Sequence, residues 1–288
     1  MAKVGIIGGS GLYQMDGVKA LKEVSLKTPF GAPSGKFMVC EIGGVETVFL
    51  ARHGKGHRFS PSEINYRANM FGMKKLGVEA IVSVSAVGSL KEHLKPLDFV
   101  LPDQFLDRTF KRATSFFTEG IVAHVAFADP TAPELREVLW KASRELGLTV
   151  HQGGTYVCME GPQFSTKAES NLYRSWGMDI IGMTNATEAK LAREAEISYA
   201  TLAAVTDYDC WHISEEPVTV EMVINTLSHN TAVAQNTLVR MVDLLSEDNG
   251  SEACECEDAL KNAIMTNPAK INQETKARLH LLVDKYLG

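Results

Sequence analysis

Residues 79–90 read EAIVSVSAVGSL. From Ala80 to Val87 the run is apolar, β-branched or small, and its length suits a strand better than a helix. Neither face carries a charge, the pattern of a strand covered by helices on both sides. It ends in Ser85, Ala86, Val87 and Gly88, small residues that let a ligand reach the backbone, although ordinary strand termination reads the same way. A second run of this kind spans 198–206 and stops abruptly in Asp207 and Asp209.

Outward from these two runs, strand and helix patterns alternate. The N-terminal run 3–8 ends in Gly8-Gly9-Ser10-Gly11, a buried strand followed by a tight turn. Residues 37–41 and 46–51 read as a hairpin around Gly43-Gly44. Shorter strands are expected at 99–102, 154–159 and 179–183. Helical spacing marks 64–76, 133–146, 166–176, 186–196, 220–245 and 273–287, and glycines close several of these segments. No repeat and no Pro/Gly/Ser linker divides the chain. The reading is a single α/β domain, residues 1–288, with a central mixed twisted sheet flanked by helices. In such folds ligands sit at the carboxyl ends of strands.

Composition narrows the function. The chain has 288 residues, 29 Lys plus Arg and 35 Asp plus Glu, for a net charge of −6. That balance argues against a nucleic-acid partner, which would need a basic footprint. No run approaches the roughly 18 apolar residues of a membrane span. Cys40, Cys158, Cys210, Cys254 and Cys256 are odd in number and widely spread, and the start MAKVGIIGGSG lacks a leader's features, so a reducing cytoplasm is expected. Cys254-Glu255-Cys256 reads as free thiols, with a labile bridge as the alternative. Seven acids lie between 243 and 258 with no Lys or Arg among the acids, so the remainder of the chain carries −6 + 7 = +1. The stretch is expected to be a solvated connector between C-terminal helices.

Several strand ends carry chemistry. Gly8–Gly11 can cradle an anion with backbone amides and the Ser10 hydroxyl, or simply be a tight strand exit. Its spacing does not match a dinucleotide fingerprint, and no phosphate loop G-x-x-x-x-G-K-[ST] occurs. In ARHGKGH, residues 51–57, Arg52 offers the planar fork that suits phosphate, and His53 beside it adds a third donor. In YVCMEGPQFSTKAES, residues 156–170, Phe164 stands on a loop where a ring can stack on a base. Met183 and Thr184 end another strand. Asp207 and Asp209 are two apart, so they point alike if the chain stays extended, as acids or as acceptors for an amine. No metal-ligand spacing is present.

The N-terminal GIIGGSGL, ARHG, SAVGSL, DQFLDRT at 103–109, EGPQFSTKAES and VTDYDCW, in that order, resemble the S-methyl-5′-thioadenosine phosphorylases of the trimeric purine nucleoside phosphorylase family. The likeness runs from about residue 3 to about residue 245. It implies phosphorolysis of an N-glycosidic bond with inorganic phosphate as co-substrate and no metal or organic cofactor. It also implies a cytoplasmic homotrimer or dimer of trimers acting on a small nucleoside, with neither nucleic acid nor membrane as partner. Ser10, Arg52, His53, Ser85, Thr184 and the Ala86 amide would hold phosphate. Phe164, Ser165, Met183 and Thr206 would line base and ribose. Asp207 would face N7 and Asp209 the 6-amino group. His57, Val220 and Val223 would surround the 5′ substituent, with His124 reaching across a subunit contact. Ser10 and Ser85 stand where threonine is common, and both keep the hydroxyl. An Asp pair in place of an Asn near N7 implies 6-aminopurines over 6-oxopurines, with a purine nucleoside phosphorylase of broader specificity (adenosine, inosine, guanosine) or a methylthioinosine phosphorylase as the alternative.

Overall fold

The computed structural model describes residues 3–9, 18–212, 220–247 and 255–287. Eleven strands enter one sheet: β1 (Lys3–Gly8), β2 (Lys19–Val24), β3 (Phe37–Ile42), β4 (Val45–Ala51), β5 (Val78–Ser89), β6 (Phe99–Leu101), β7 (Gln104–Asp107), β8 (Val150–Gln152), β9 (Thr155–Cys158), β10 (Ile180–Gly182) and β11 (Ser198–Asp207). Among the described residues, six α-helices accompany them: α1 (Tyr66–Lys75), α2 (Pro133–Glu145), α3 (Lys167–Ser175), α4 (Asn185–Glu194), α5 (Val220–Glu247) and α6 (Gln273–Leu287). The expected mixed sheet with helical cover is what forms.

β5 is where the sheet divides. Its first half pairs in parallel with β1 on one side, through Val4↔Ala80 and Ile7↔Ser83. On the other side it pairs in parallel with β11, through Ser83↔Thr201 to Val87↔Val205. Its last residues pair antiparallel with β10, Gly88 opposite Ile181. β1 also lies parallel to β4, with Gly8 opposite Ala51. The carboxyl ends of β1, β4, β5 and β11 therefore fall on one edge. Gly8, Ala51, Ser85–Gly88 and Asp207 meet there.

The apolar composition of these strands explains the layers. Ile81 and Ile7 face one core with Met70, Phe71 and Leu191 from α1 and α4. Val82 and Leu202 face another with Leu139 of α2 and Leu238 and Met241 of α5. Thr166 caps α3 through a reciprocal bond with Glu169, so the helix proper begins at Lys167 rather than at 166. Asn65 caps α1, which places that start two residues later than its apolar spacing implies. Among the described residues, no helix is long and apolar enough to cross a membrane.

The acidic stretch is not a plain connector. Asp243 and Glu247 still belong to α5, and Glu247 pairs with Arg240 at 3.0 Å. Residues 255–258 form a short 3-10 helix, where Asp258 takes Lys285 at 2.8 Å and Lys261 at 3.6 Å. Helix geometry and the basic partners Arg240, Lys261 and Lys285 account for the difference. Residues 248–254, with Cys254, lie outside the described residues. Cys256 is buried, its sulfur 3.3 Å from Ser198 Oγ.

Candidate active site

Arg52 follows β4 and turns inward. It is 4% exposed, and its guanidinium is already engaged. Nη1 donates to the Val84 carbonyl at 3.0 Å and Nη2 to the Ile7 carbonyl at 3.1 Å. Nη2 also donates to Ser83 Oγ, and Nε lies 2.8 Å from Glu188 Oε1. Burial is the largest single influence and works against the charge, but the Glu188 carboxylate together with Tyr199, Tyr156 and Tyr66 holds the guanidinium above its usual range. The open two-pronged fork expected from sequence is therefore mostly spent on the protein itself.

His53 also differs from expectation. Its Nδ1 lies 2.8 Å from the Phe59 carbonyl oxygen, which accepts only, so that nitrogen carries the proton of the neutral ring. Burial, reinforced by the Arg52 charge, pushes its pKa down to about 4. At neutral pH Nε2 is thus an acceptor, suited to a P–OH group, rather than the third donor. The ring stacks on His57 at 4.1 Å between centroids, with His57 exposed in a left-handed turn (φ 54°).

Ser85 and Thr184 are joined through Tyr156 and Asn185. Ser85 Oγ is 3.4 Å from the hydroxyl of Tyr156, and Tyr156 donates to Asn185 Oδ1 at 3.1 Å. Thr184 Oγ1 donates to the same oxygen at 3.0 Å. Gly182 has no room for a side chain, because a Cβ would fall 1.9 Å from the Tyr156 hydroxyl oxygen. Ala86 is the next residue of β5, half-buried. Ser10 lies outside the described residues.

The aspartates come together by a route other than strand alternation. Asp207 ends β11, and Asp209 sits in the left-handed region (φ 52°), so the chain does not stay extended. The Asp209 N–H donates to Asp207 Oδ1 at 2.7 Å, and Thr206 Oγ1 donates to Oδ2 at 2.6 Å. Burial raises the pKa of both carboxyls, with the Asp207 charge adding to the effect on Asp209. Asp209 Oδ2 is buried and has no hydrogen-bond partner. The loop beyond is pinned by Trp211 Nε1, which donates to the Ser89 carbonyl at 2.7 Å, and by the Cys210 thiol, 3.3 Å from the Ser165 carbonyl.

Around this pair, Phe164 is exposed and Ser165 buried with its hydroxyl toward Met159 Sδ at 3.6 Å. Met183 packs on Gly161, where a Cβ would lie 2.6 Å from its sulfur. Val220 and Val223 belong to the first turn of α5, and their side chains lie outside the described part. His124 is exposed, on the irregular stretch between β7 and α2, its N–H bonded to the Ala263 carbonyl at 2.8 Å.

Two buried groups escape sequence reading. Glu188 looks like any mid-helix acid, and Arg112 like a surface cation. Arg112 is buried against Glu160 (Nε to Oε1 3.4 Å), donates to the Met183 carbonyl and bonds the Glu160 carbonyl at 2.8 Å. Glu160 Oε2 accepts from the Phe110 N–H at 2.6 Å, and Oε1 from Ser62. This hub ties three loops to the residue expected beneath the ribose. Spacing alone carries no sign of it, since both partners meet only in the folded chain.

The phosphorylase superfamily model matches residues 3–243. An S-methyl-5′-thioadenosine phosphorylase of Thermosynechococcus vestitus is 56% identical over 99% of this chain and 99% of its own. A methylthioadenosine phosphorylase structure from an antarctic soil metagenomic library superposes with a TM-score of 0.93 at 49% identity, over 98% of this chain and 99% of that one. The methylthioadenosine phosphorylase of Schistosoma mansoni, in complex with adenine, does so with 0.87 at 37% identity, over 92% and 99%.

Proposed function

The chain belongs to the phosphorylase superfamily, and within it to the S-methyl-5′-thioadenosine phosphorylases; from that premise we propose that it splits S-methyl-5′-thioadenosine with inorganic phosphate into adenine and 5-methylthioribose 1-phosphate. Phosphate is the nucleophile and a co-substrate. An oxygen of phosphate bonds to the anomeric carbon as the bond to N9 breaks, and N7 of the leaving base takes a proton. The ribose becomes cationic in the transition state, and the anion beneath it offsets that charge. No cofactor enters the proposed reaction.

The observation that carries the reading is the Asp207–Asp209 pair. Burial raises the pKa of the Asp207 carboxyl above the usual carboxylate range, the direction a general acid needs. Asp209 keeps a buried, unpartnered oxygen. An exocyclic amine satisfies that oxygen, whereas a 6-oxo group would place a second acceptor against it. Selectivity for 6-aminopurines follows. Arg52, Ser85, Thr184, the Ala86 amide and Ser10 serve phosphate, and His53 accepts from its hydroxyl. Phe164, Ser165, Met183 and Thr206 serve base and ribose, while His57, Val220 and Val223 serve the 5′ group.

We also propose a homotrimer, alone or paired, in which His124 completes a neighbour's site, working in the cytoplasm. Mass measurement in solution tests the assembly. For the reaction, adenine release from methylthioadenosine is measured with and without phosphate, beside adenosine, inosine and methylthioinosine. Release without phosphate, or preference for the inosine pair, would overturn the reading.

A further inference from the structure

Glu188 is 1% exposed on the first turn of α4, and it is the centre of a closed polar cluster. Its Oε1 lies 2.8 Å from Arg52 Nε. Its Oε2 accepts from Ser83 Oγ at 2.7 Å and from the Tyr199 hydroxyl at 2.9 Å, and lies 3.5 Å from Arg52 Nη2. The guanidinium has five N–H groups. The Val84 carbonyl takes one Nη1 N–H, and the Ile7 carbonyl and Ser83 take those on Nη2; Nε is ion-paired with the carboxylate but makes no hydrogen bond, and the second Nη1 N–H has no acceptor among the described residues. A buried ion pair contributes little net stability against its own desolvation, so its value lies in what it orients.

One turn earlier on the same helix face, Asn185 bonds the rest of the phosphate cup. Its amide nitrogen lies 3.2 Å from Ser83 Oγ and 2.8 Å from Thr201 Oγ1. Its oxygen receives Thr184 and Tyr156, and Tyr156 touches Ser85. Asn185 and Glu188 thus anchor Arg52, Thr184 and Ser85 from a single helical turn.

We propose that Glu188 is a positioning residue for the phosphate co-substrate, holding Arg52 through the ion pair so that its free Nη1 N–H faces the anion. This rests on the phosphorolysis reading. Without the carboxylate, the guanidinium regains its rotamers and competes for the same carbonyls, and phosphate loses a fixed donor.

The test is Glu188→Gln, with Glu194→Gln as control, because Glu194 is also buried on α4 but bonds Ser115 and Phe116 instead. In steady-state assays, Glu188→Gln is expected to raise the phosphate KM tenfold or more while the methylthioadenosine KM stays within twofold. Glu194→Gln leaves both within twofold. Binding of inorganic phosphate alone, followed by phosphorus NMR line broadening, weakens in the first variant only. If Glu188→Gln does not fold, Ser83→Ala and Tyr199→Phe each remove one bond to the carboxylate and raise the phosphate KM severalfold. A folded Glu188→Gln enzyme with an unchanged phosphate KM, equal rises in both KM values, or an equal effect of Glu194→Gln overturns the proposal. Should wild type release adenine without phosphate, the phosphorolysis reading fails, and the NMR readout still reports on Glu188 separately.

Discussion

The backbone N–H of Asp209 donates to Oδ1 of Asp207 at 2.7 Å, from a residue in left-handed conformation. One carboxylate is thereby held by the backbone of the other, and the turn leaves Asp209 Oδ2 unpartnered in a buried position.

Asp207→Asn keeps this bond to the Asp209 N–H but cannot give up a carboxyl proton. Turnover of methylthioadenosine is expected to fall about 100-fold to 10,000-fold, the usual worth of a positioned acid. Loss on inosine should be smaller, so the ratio of the two kcat/KM values reads the effect directly.

The pH dependence follows from the same group. Burial raises the Asp207 pKa, and only the protonated acid serves. The kcat/KM is therefore expected to decline with rising pH on an alkaline limb, and Asp207→Asn should flatten that limb. His53, with its pKa near 4, contributes no limb between pH 5 and 8. A pH–rate profile of both enzymes checks this.

Gly88 touches both aspartates: a Cβ there would lie 3.1 Å from Asp207 Oδ1 and 3.3 Å from the Asp209 Cβ. Its strand conformation accepts alanine, so Gly88→Ala should fold. It should displace the pair by a few tenths of an ångström and lower kcat by roughly threefold to tenfold, since a ~1 Å misplacement costs about 100-fold. Thermal melting within a few degrees of wild type separates this from unfolding.

Glu194 affects stability rather than turnover. Its carboxyl is 6% exposed, and burial lifts its pKa from 4.5 to about 7. The unfolded chain ionises this group first, so stability falls as pH rises from about 4.5 to about 7 and is flat above, by on the order of 3 kcal/mol. Melting curves at pH 5 and pH 8 are expected to differ less in Glu194→Gln than in wild type.

Breaking the Arg112–Glu160 pair strands a buried charge. Arg112→Ala is expected to lose about 3–5 kcal/mol of unfolding free energy. It also releases the Met183 carbonyl, so the nucleoside KM should rise. Denaturant titration and steady-state kinetics test the two parts.

The long central strands were legible because burial on both faces leaves a continuous apolar run. β2, KALKEV, was not, because an edge strand carries charges and no such run. β7 and β8 are three or four residues long with mixed polarity. At the site, strand-end residues such as Arg52, His53 and Asp207 stand out by position. Glu188 and Arg112 do not, since a charged residue on a helix or in a loop is ordinarily solvated and only tertiary contacts bury it. The Asp207–Asp209 geometry was hidden for a different reason: a left-handed turn, not alternation, aims the second carboxylate.

β5 carries Ser85 and Ala86 on the expected phosphate side and Gly88 against the aspartates. Three residues of one extended strand separate these stations, about 10 Å at roughly 3.3 Å per residue. On the proposed reading, a single covalent element clamped between β1 and β11 acts as a ruler laid along the nucleoside. The gap between nucleophile and leaving base would then be gauged by the spacing of backbone positions along one strand.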